Sequence, residues 1–248
     1  MKILGIIPAR YASTRFPGKP LIEIMGKSML QRVYEQAKKS EHLTDVIIAT
    51  DDARIENHAK SFGAKVVLTK AEHPSGTDRS YEAYINTKTT YDYIINIQGD
   101  EPFIDPSQID LLAKICDGNT ELATLMIKCN SHSVLFDKGE VKITLNTNKE
   151  ALYFSRMVIP FIKGVDEKEW HNHFDYYRHV GMYAYRADVL EKVTKLKPSP
   201  LELAESLEQL RWLENGFKIK CAETLHDSHC IDTPEDVEKV IKLMGIKS

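Results

Sequence analysis

Short apolar runs alternate with helix-patterned stretches along the first half of this chain, and that alternation narrows its fold more than any other feature. Ile3–Pro8 is continuous, apolar and branched, as a strand covered on both faces must be. Ser28–Ser40 then takes up helical spacing. Ser28 stands at the cap position, and Met29, Leu30, Val33 and Ala37 share one face. Asp45–Ala49, Lys65–Leu68, Tyr93–Ile97 and Ala123–Ile127 read as further strands. Asp52–Phe62, Thr77–Thr87 and Pro106–Asp117 read as the helices between them, with Gly63 and Gly118 placed to end two of them. Strand, helix, strand at this spacing predicts right-handed crossovers and an α/β fold with a mostly parallel sheet flanked by helices. Ligands of such sheets sit at the carboxyl ends of the strands. The residues just after each apolar run therefore carry the functional interest.

After about residue 128 the rhythm changes. Val141–Leu145, Ala151–Phe154 and His179–Tyr185 read as strands without helices between them, and Lys163–Tyr177 as a polar, aromatic loop or lobe anchored by Trp170. Pro200–Asn215 reads as one amphipathic helix ended by Gly216. Its Leu201, Ala204, Leu207, Leu210 and Leu213 are expected in the core rather than at an interface. Lys218–Ala222 is the last expected strand and Pro234–Met244 the last helix. This organisation predicts an α/β core from 1–128 with 217–248, and a smaller mixed α/β lobe over 129–216, joined as one continuous structural domain.

Length and charge set the partners. A chain of 248 residues with 42% hydrophobic side chains can bury a large core. Thirty-three Lys+Arg against 36 Asp+Glu give a net charge of -3, without the positive excess of a nucleic-acid binder. An anionic ligand would be held by a local cationic cluster. Cys116, Cys129, Cys221 and Cys230 form no C-x-x-C pair and read as free thiols in a reducing compartment. No apolar run approaches the roughly 20 residues of a membrane span. The one after Met1-Lys2 meets Pro8 and Arg10 too soon for a signal peptide. The expectation is a cytoplasmic protein with no membrane insertion.

Four clusters could carry chemistry. The loop after the first apolar run, from Pro8 to Leu21, holds Arg10, Arg15 and Lys19 beside Ser13, Thr14 and Gly18. Small residues let backbone N–H groups approach an anion, and three cations neutralise it, as a nucleoside triphosphate tail requires. It has neither the Walker A nor the G-x-G-x-x-G spacing. The plainer alternative is a solvated basic loop. Gln98-Gly99-Asp100-Glu101-Pro102 puts a carboxylate pair at a strand end. That suits Mg²⁺, a hard oxygen-seeking cation, and equally suits a turn. In Ser75-Gly76-Thr77-Asp78-Arg79, Gly76 permits close backbone approach and Thr77 can cap a helix. It is either a polar ligand site or an ordinary helix start. From His226 to Asp236, the spacing H-x-x-H-C matches no common closed zinc site. Asp232 reads as a helix start or as a second Mg²⁺ carboxylate. Thr50-Asp51-Asp52 could touch a ribose but, without the glycine fingerprint, reads better as a helix cap. Arg156, Arg178 and His179 read as cations for a carboxylate substrate or as surface ion pairs.

R-Y-A-S-T-R-F-P-G-K-P-L, E-H-P-S-G-T-D-R, Q-G-D-E-P, Y-F-S-R-M-V-I-P, R-H-V-G-M-Y-A-Y-R, P-S-P-L-E, L-E-Q-L-R and I-D-T-P-E-D run in order from residue 10 to residue 236. Together they resemble the CMP-Kdo synthetase family, the 3-deoxy-manno-octulosonate cytidylyltransferases of lipopolysaccharide synthesis. The first loop is shared more widely among sugar nucleotidyltransferases, whereas the combination is more specific. The resemblance implies a Rossmann-like, nucleotide-diphospho-sugar transferase fold. It implies a homodimer that makes CMP-Kdo and pyrophosphate from CTP and Kdo with Mg²⁺, the 129–216 lobe serving sugar-acid binding and dimerisation. It also implies that Ala9, Arg10, Ser13, Arg15, Lys19, Ser75, Gly76 and Arg79 hold CTP and that Asp100 and Asp232 bind Mg²⁺. Gln98, Arg156, His179, Tyr183, Glu208 and Gln209 would face the sugar acid, with Arg10, Lys19, Asp100 and Asp232 as the catalytic set.

The expected chemistry is in-line attack of the Kdo 2-hydroxyl on the α-phosphorus, helped by positioning and charge neutralisation. Three rivals remain at this level. One is a cytidylyltransferase for sialic acid or an amino-substituted Kdo. Another is a CTP-sensing module that releases no pyrophosphate. The third is an NAD-linked oxidoreductase, which would lack its glycine fingerprint here.

Overall fold

The continuous apolar run at the N-terminus forms strand β1 (Ile3–Ala9), with Leu4, Ile6 and Ile7 fully buried. The computed structural model describes residues 1–12, 16–227 and 229–243. After β1 come a 3-10 turn (Lys19–Leu21), the two-residue strands β2 (Glu23–Ile24) and β3 (Lys27–Ser28), and helix α1 (Met29–Ala37). Strand β4 (Asp45–Thr50), helix α2 (Ala53–Ser61), strand β5 (Lys65–Leu68), helix α3 (Gly76–Asn86), strand β6 (Tyr93–Asn96) and helix α4 (Pro106–Lys114) follow. Next are β7 (Leu122–Lys128), α5 (His132–Phe136), β8 (Lys142–Leu145), β9 (Ala151–Ser155) and α6 (Trp170–His173). The chain continues through β10 (Tyr177–Arg186), α7 (Ala187–Thr194), α8 (Pro200–Glu205), α9 (Gln209–Glu214), β11 (Ile219–Glu223) and α10 (Pro234–Leu243). Two compact units result: residues 1–113 with the C-terminal segment carrying α10, and Lys114–Asp227.

In the first unit β6, β1, β4 and β5 pair in that order, every pair parallel. The chain runs from β1 outward to β4 and β5, then returns to the other side of β1 as β6. The strand order thus reverses at β1 and β6, where open α/β sheets bind ligands. Helix α1 packs Met29, Leu30, Val33, Tyr34 and Ala37 inward, and Ser28 caps it by accepting from Gln31 N. Full burial of Met29, Leu30 and Val33 contributes about 1.5–3 kcal/mol of hydrophobic stabilisation each. Asp52 caps α2. Helix α3 starts one residue earlier than its pattern suggests. Ser75, not Thr77, is its cap, and Thr77 is buried. The helix expected over 106–117 stops at Lys114.

The second unit has a mixed sheet. Strand β11 is parallel to β7, while β7–β10, β10–β8 and β8–β9 are antiparallel. The polar segment around Trp170 is organised rather than open. Trp170, Tyr176, Leu135 and Cys129 form a buried cluster, Trp170 Nε1 donates to the Val165 carbonyl at 3.0 Å, and Tyr176 Oη to that of Pro160 at 2.6 Å. Helix α7 was not visible in the sequence pattern. The single helix expected over 200–215 is two, α8 and α9, separated where Ser206 takes a left-handed backbone (φ 55°). Glu202 and Arg211 pair across the break. The leucine stripe divides with it: Leu207 and Leu210 are buried, whereas Leu201 and Ala204 are exposed. No described helix is long and apolar enough to cross a membrane.

Candidate active site

In the first unit the sheet ends in a polar cleft. Arg10 follows β1, the segment Gln98–Asp100 follows β6, and Lys19 and Asp232 complete the lining. Gly99 lets these strand ends meet, because a Cβ there would lie 2.9 Å from the Pro8 carbonyl oxygen. Gly76, at the start of α3, packs 3.5 Å from Pro8 and Asn96 by the same measure, so Ser75 and Gly76 stand beside the ends of β1 and β6.

Lys19 is delivered by local geometry. Gly18 takes φ 71°, which costs a glycine little, and Pro20 presets the 3-10 turn that follows. Gly18 N donates to the Tyr11 carbonyl at 3.0 Å, closing the loop. Asp232 is delivered by packing. Ile231 is fully buried with Ile24, Met29 and Val240, and its N–H donates to the Asp100 carbonyl at 3.0 Å. Asp236 then accepts from the backbone N–H groups of Asp232 and Thr233.

The result is a cation between two carboxylates. Lys19 Nζ donates to Asp100 Oδ2 at 2.8 Å and to Asp232 Oδ1 at 2.9 Å. Burial pulls the Lys19 pKa down, but Asp100 and Asp232 outweigh it and hold the ammonium above its ordinary value. Cys230 brings its sulfur into the same group, with donor atoms of all three residues within 4.8 Å of one another. His226 and His229 do not join it, so no zinc-type histidine set forms among the described residues. Two carboxylates aimed at one positive charge fit a hard divalent cation, for which oxygen is the preferred donor.

The other residues expected to hold the nucleotide are placed unevenly. Ala9 is buried at the end of β1 and Arg10 is exposed just beyond it. Ser13 and Arg15 lie outside the described residues. Arg79 is 1% exposed, with Nη1 2.9 Å from Asp51 Oδ1 and 2.6 Å from the Thr69 hydroxyl. Burial lowers its pKa and nearby Arg10 adds to this, while Asp51 opposes both. Its Nη2 has no hydrogen-bond partner among the described residues.

The second unit holds the remaining candidates. A bulge in β10 between Val180 and Tyr183 shifts its register against β7. It brings the rings of His179 and Tyr183 to 5.1 Å, although four residues of regular strand span about 13 Å. Bulges re-aim side chains in this way, and nothing in the alternation pattern announced this one. Thr124 Oγ1 lies 2.8 Å from the Met182 carbonyl, which takes its one proton, so His179 Nε2 at 2.9 Å is the donor to it. Desolvation, with the Arg178 guanidinium adjacent, pushes the His179 pKa down to about 3. Burial raises that of Tyr183 well above the usual phenol. Trp212 of α9 meets the Tyr183 ring edge-on at 5.0 Å, Gln209 is buried, and Glu208 stands at the helix start. The Glu205 carboxylate accepts from Ser155 Oγ and from Arg156 N, and Arg156 Nε donates to the Glu205 carbonyl at 3.1 Å. Arg178 pairs with Glu140 and Asp227.

A parallel α/β sheet whose reversal point carries Lys19 between two carboxylates suits a nucleotidyltransferase, and comparison with known proteins shows that class. The cytidylyltransferase family model matches residues 4–219. Among curated proteins, 3-deoxy-manno-octulosonate cytidylyltransferase of Parabacteroides distasonis is 56% identical over 251 residues, covering 99% of each chain. The protein of that name from Cytophaga hutchinsonii is 54% identical over 97% of this chain and 96% of its own. The solved structure of CMP:2-keto-3-deoxy-manno-octonic acid synthetase complexed with CTP is 41% identical, superposes with a TM-score of 0.90 and covers 99% of each chain. The chain belongs to the 3-deoxy-manno-octulosonate cytidylyltransferase family.

Proposed function

We propose that this enzyme activates 3-deoxy-D-manno-octulosonate, forming CMP-Kdo and pyrophosphate from CTP and Kdo. The observation that carries the reading is the Lys19 ammonium shared by Asp100 and Asp232 where the strand order reverses. CTP carries about four negative charges and Kdo a carboxylate, so their approach is repulsive. Arg10 and Lys19, both lining the cleft, offset that charge. The reaction is in-line attack of the sugar 2-hydroxyl on the α-phosphorus. The P–O bond to the β-phosphate breaks, pyrophosphate leaves with that electron pair, and the hydroxyl proton is released to water. Lys19 is fully charged and serves as an electrostatic and positioning group, not as a base.

Asp100 and Asp232 would hold Mg²⁺, which when bound neutralises phosphate charge and lowers the pKa of a nearby hydroxyl. The roles expected of Ala9, Ser75 and Arg79 toward CTP belong to the same proposal. So do those of Gln98, Arg156, His179, Tyr183, Glu208 and Gln209 toward the sugar acid. A homodimer in the cytoplasm completes it, and the solution mass tests the dimer.

Pyrophosphate release from CTP and Mg²⁺ is measured with Kdo, with sialic acid and with no sugar. Release that depends on Kdo alone supports the proposal. Release only with sialic acid keeps the chemistry and replaces the substrate. CTP binding without release in every arm refutes catalysis.

A further inference from the structure

The loop that delivers Lys19 is braced by side chains with no part in the chemistry above. The ring of Tyr11 lies against Gly18 so closely that a Cβ there would stand 3.3 Å from its Cζ and Oη. Over that ring sits the Arg54 guanidinium, 3.3 Å from the centroid. Arg54 is itself gripped by Asp52: Nε donates to Oδ1 at 2.9 Å and Nη2 to Oδ2 at 2.6 Å. A two-point fork of this kind sets the plane of the guanidinium as well as its position. Asp52 is anchored in turn as the N-cap of α2, accepting from Arg54 N. The bracing pair therefore connects a rigid helix start to the glycine immediately before Lys19.

We propose that Arg54 and Tyr11 are positioning residues, Arg54 pressing Tyr11 onto Gly18 and thereby setting where Lys19 Nζ stands against Asp100 and Asp232. The proposal rests on the reading of Lys19 as a group that acts on the nucleotide. Exposure separates this role from a general structural one. The Arg54 side chain is 59% exposed, and exposed ion pairs contribute little to folding. Geometry at the loop, rather than overall stability, is what the brace controls. Cation–π contact also explains why the partner is aromatic, since the ring face attracts the guanidinium.

The test uses full-length variants. Arg54→Ala should lower kcat about tenfold, because small misplacements of a catalytic group are costly, while the melting temperature stays within a few degrees. Arg54→Lys keeps the charge but lacks the fork, so it should fall near Arg54→Ala. Tyr11→Phe should keep wild-type kcat, and Tyr11→Leu should copy Arg54→Ala. The double variant Tyr11→Leu/Arg54→Ala should be no worse than the poorer single, since residues acting as one unit are not additive. A second measurement needs no turnover: hydrogen exchange of the Gly18 amide, read by NMR in the free protein, should be several-fold faster in Arg54→Ala. Unchanged kcat in Arg54→Ala overturns the proposal, as does full rescue by lysine. Lowered kcat with unchanged Gly18 exchange overturns it too, because Arg54 would then act on the ligand directly. If the wild-type protein releases no pyrophosphate with any sugar acid, the functional reading fails separately. Gly18 exchange then decides alone, faster exchange supporting the brace and unchanged exchange refuting it.

Discussion

Lys19 and Asp232 stand 213 positions apart in the chain and 2.9 Å apart in space. Asp100 joins them from a third segment at 2.8 Å. A single ammonium thus collects the loop after β1, the loop after β6 and the segment before α10.

Replacing Lys19 with methionine removes the shared cation and leaves two carboxylates facing each other. The barrier to pyrophosphate formation should rise by about 2–4 kcal/mol, the scale of one lost transition-state contact. Steady-state kinetics should show the loss in kcat. A change confined to KM would make Lys19 a uniform binding residue instead.

Asp100→Asn and Asp232→Asn should each cut kcat by about 10²-fold, the scale on which metal sites respond to altered support. Chelation of the wild-type enzyme should abolish turnover, with Mg²⁺ restoring it. Near-normal rates in either variant at saturating Mg²⁺ would refute that residue's role.

Gly99→Ala should destabilise the first unit. Its new Cβ would meet the Pro8 carbonyl oxygen at 2.9 Å, and backbone cannot swing aside as a side chain does. Overpacking of this kind costs about 1–3 kcal/mol, so the urea midpoint should fall. An unchanged midpoint would show that the strand ends separate freely.

His179 predicts a pH effect on stability. Its pKa of about 3 in the folded protein lies below the ordinary histidine value, so the unfolded chain binds the proton first as pH falls. The contribution is fully present above about 6.5 and is lost progressively toward about 3. Unfolding midpoints should decline over that window, and His179→Gln should flatten the decline. An equal slope in the variant would refute the assignment.

Much of this arrangement was legible beforehand, and the exceptions have physical causes. Strands β1, β4 and β6 were readable because a strand buried on both faces must be uniformly apolar, whereas β5, half-exposed at the end of the strand order, was readable only from its short Val66-Val67 run. The break between α8 and α9 was not, because Ser206 is compatible with helical spacing and only its left-handed backbone ends the helix. Thr77 and Ser75 both have capping hydroxyls, and packing of Gly76 against Pro8 and Asn96 decides between them. The His179–Tyr183 approach depends on a bulge, which leaves no mark on composition or period.

By itself the sequence determined the α/β class, the strand ends worth inspecting, and the presence of Arg10, Lys19, Asp100 and Asp232. These follow from local rules: apolar period, turn chemistry, and charge placed after buried strands. Tertiary structure decided which of those charges meet. Lys19 reaches Asp100 and Asp232 because β6 returns beside β1 and buried Ile231 pins the C-terminal segment to the Asp100 carbonyl. Arg79, an equally plausible cation in the sequence, is instead buried against Asp51 and Thr69. Pairings over such distances are set by packing of the whole sheet, and no local pattern encodes them.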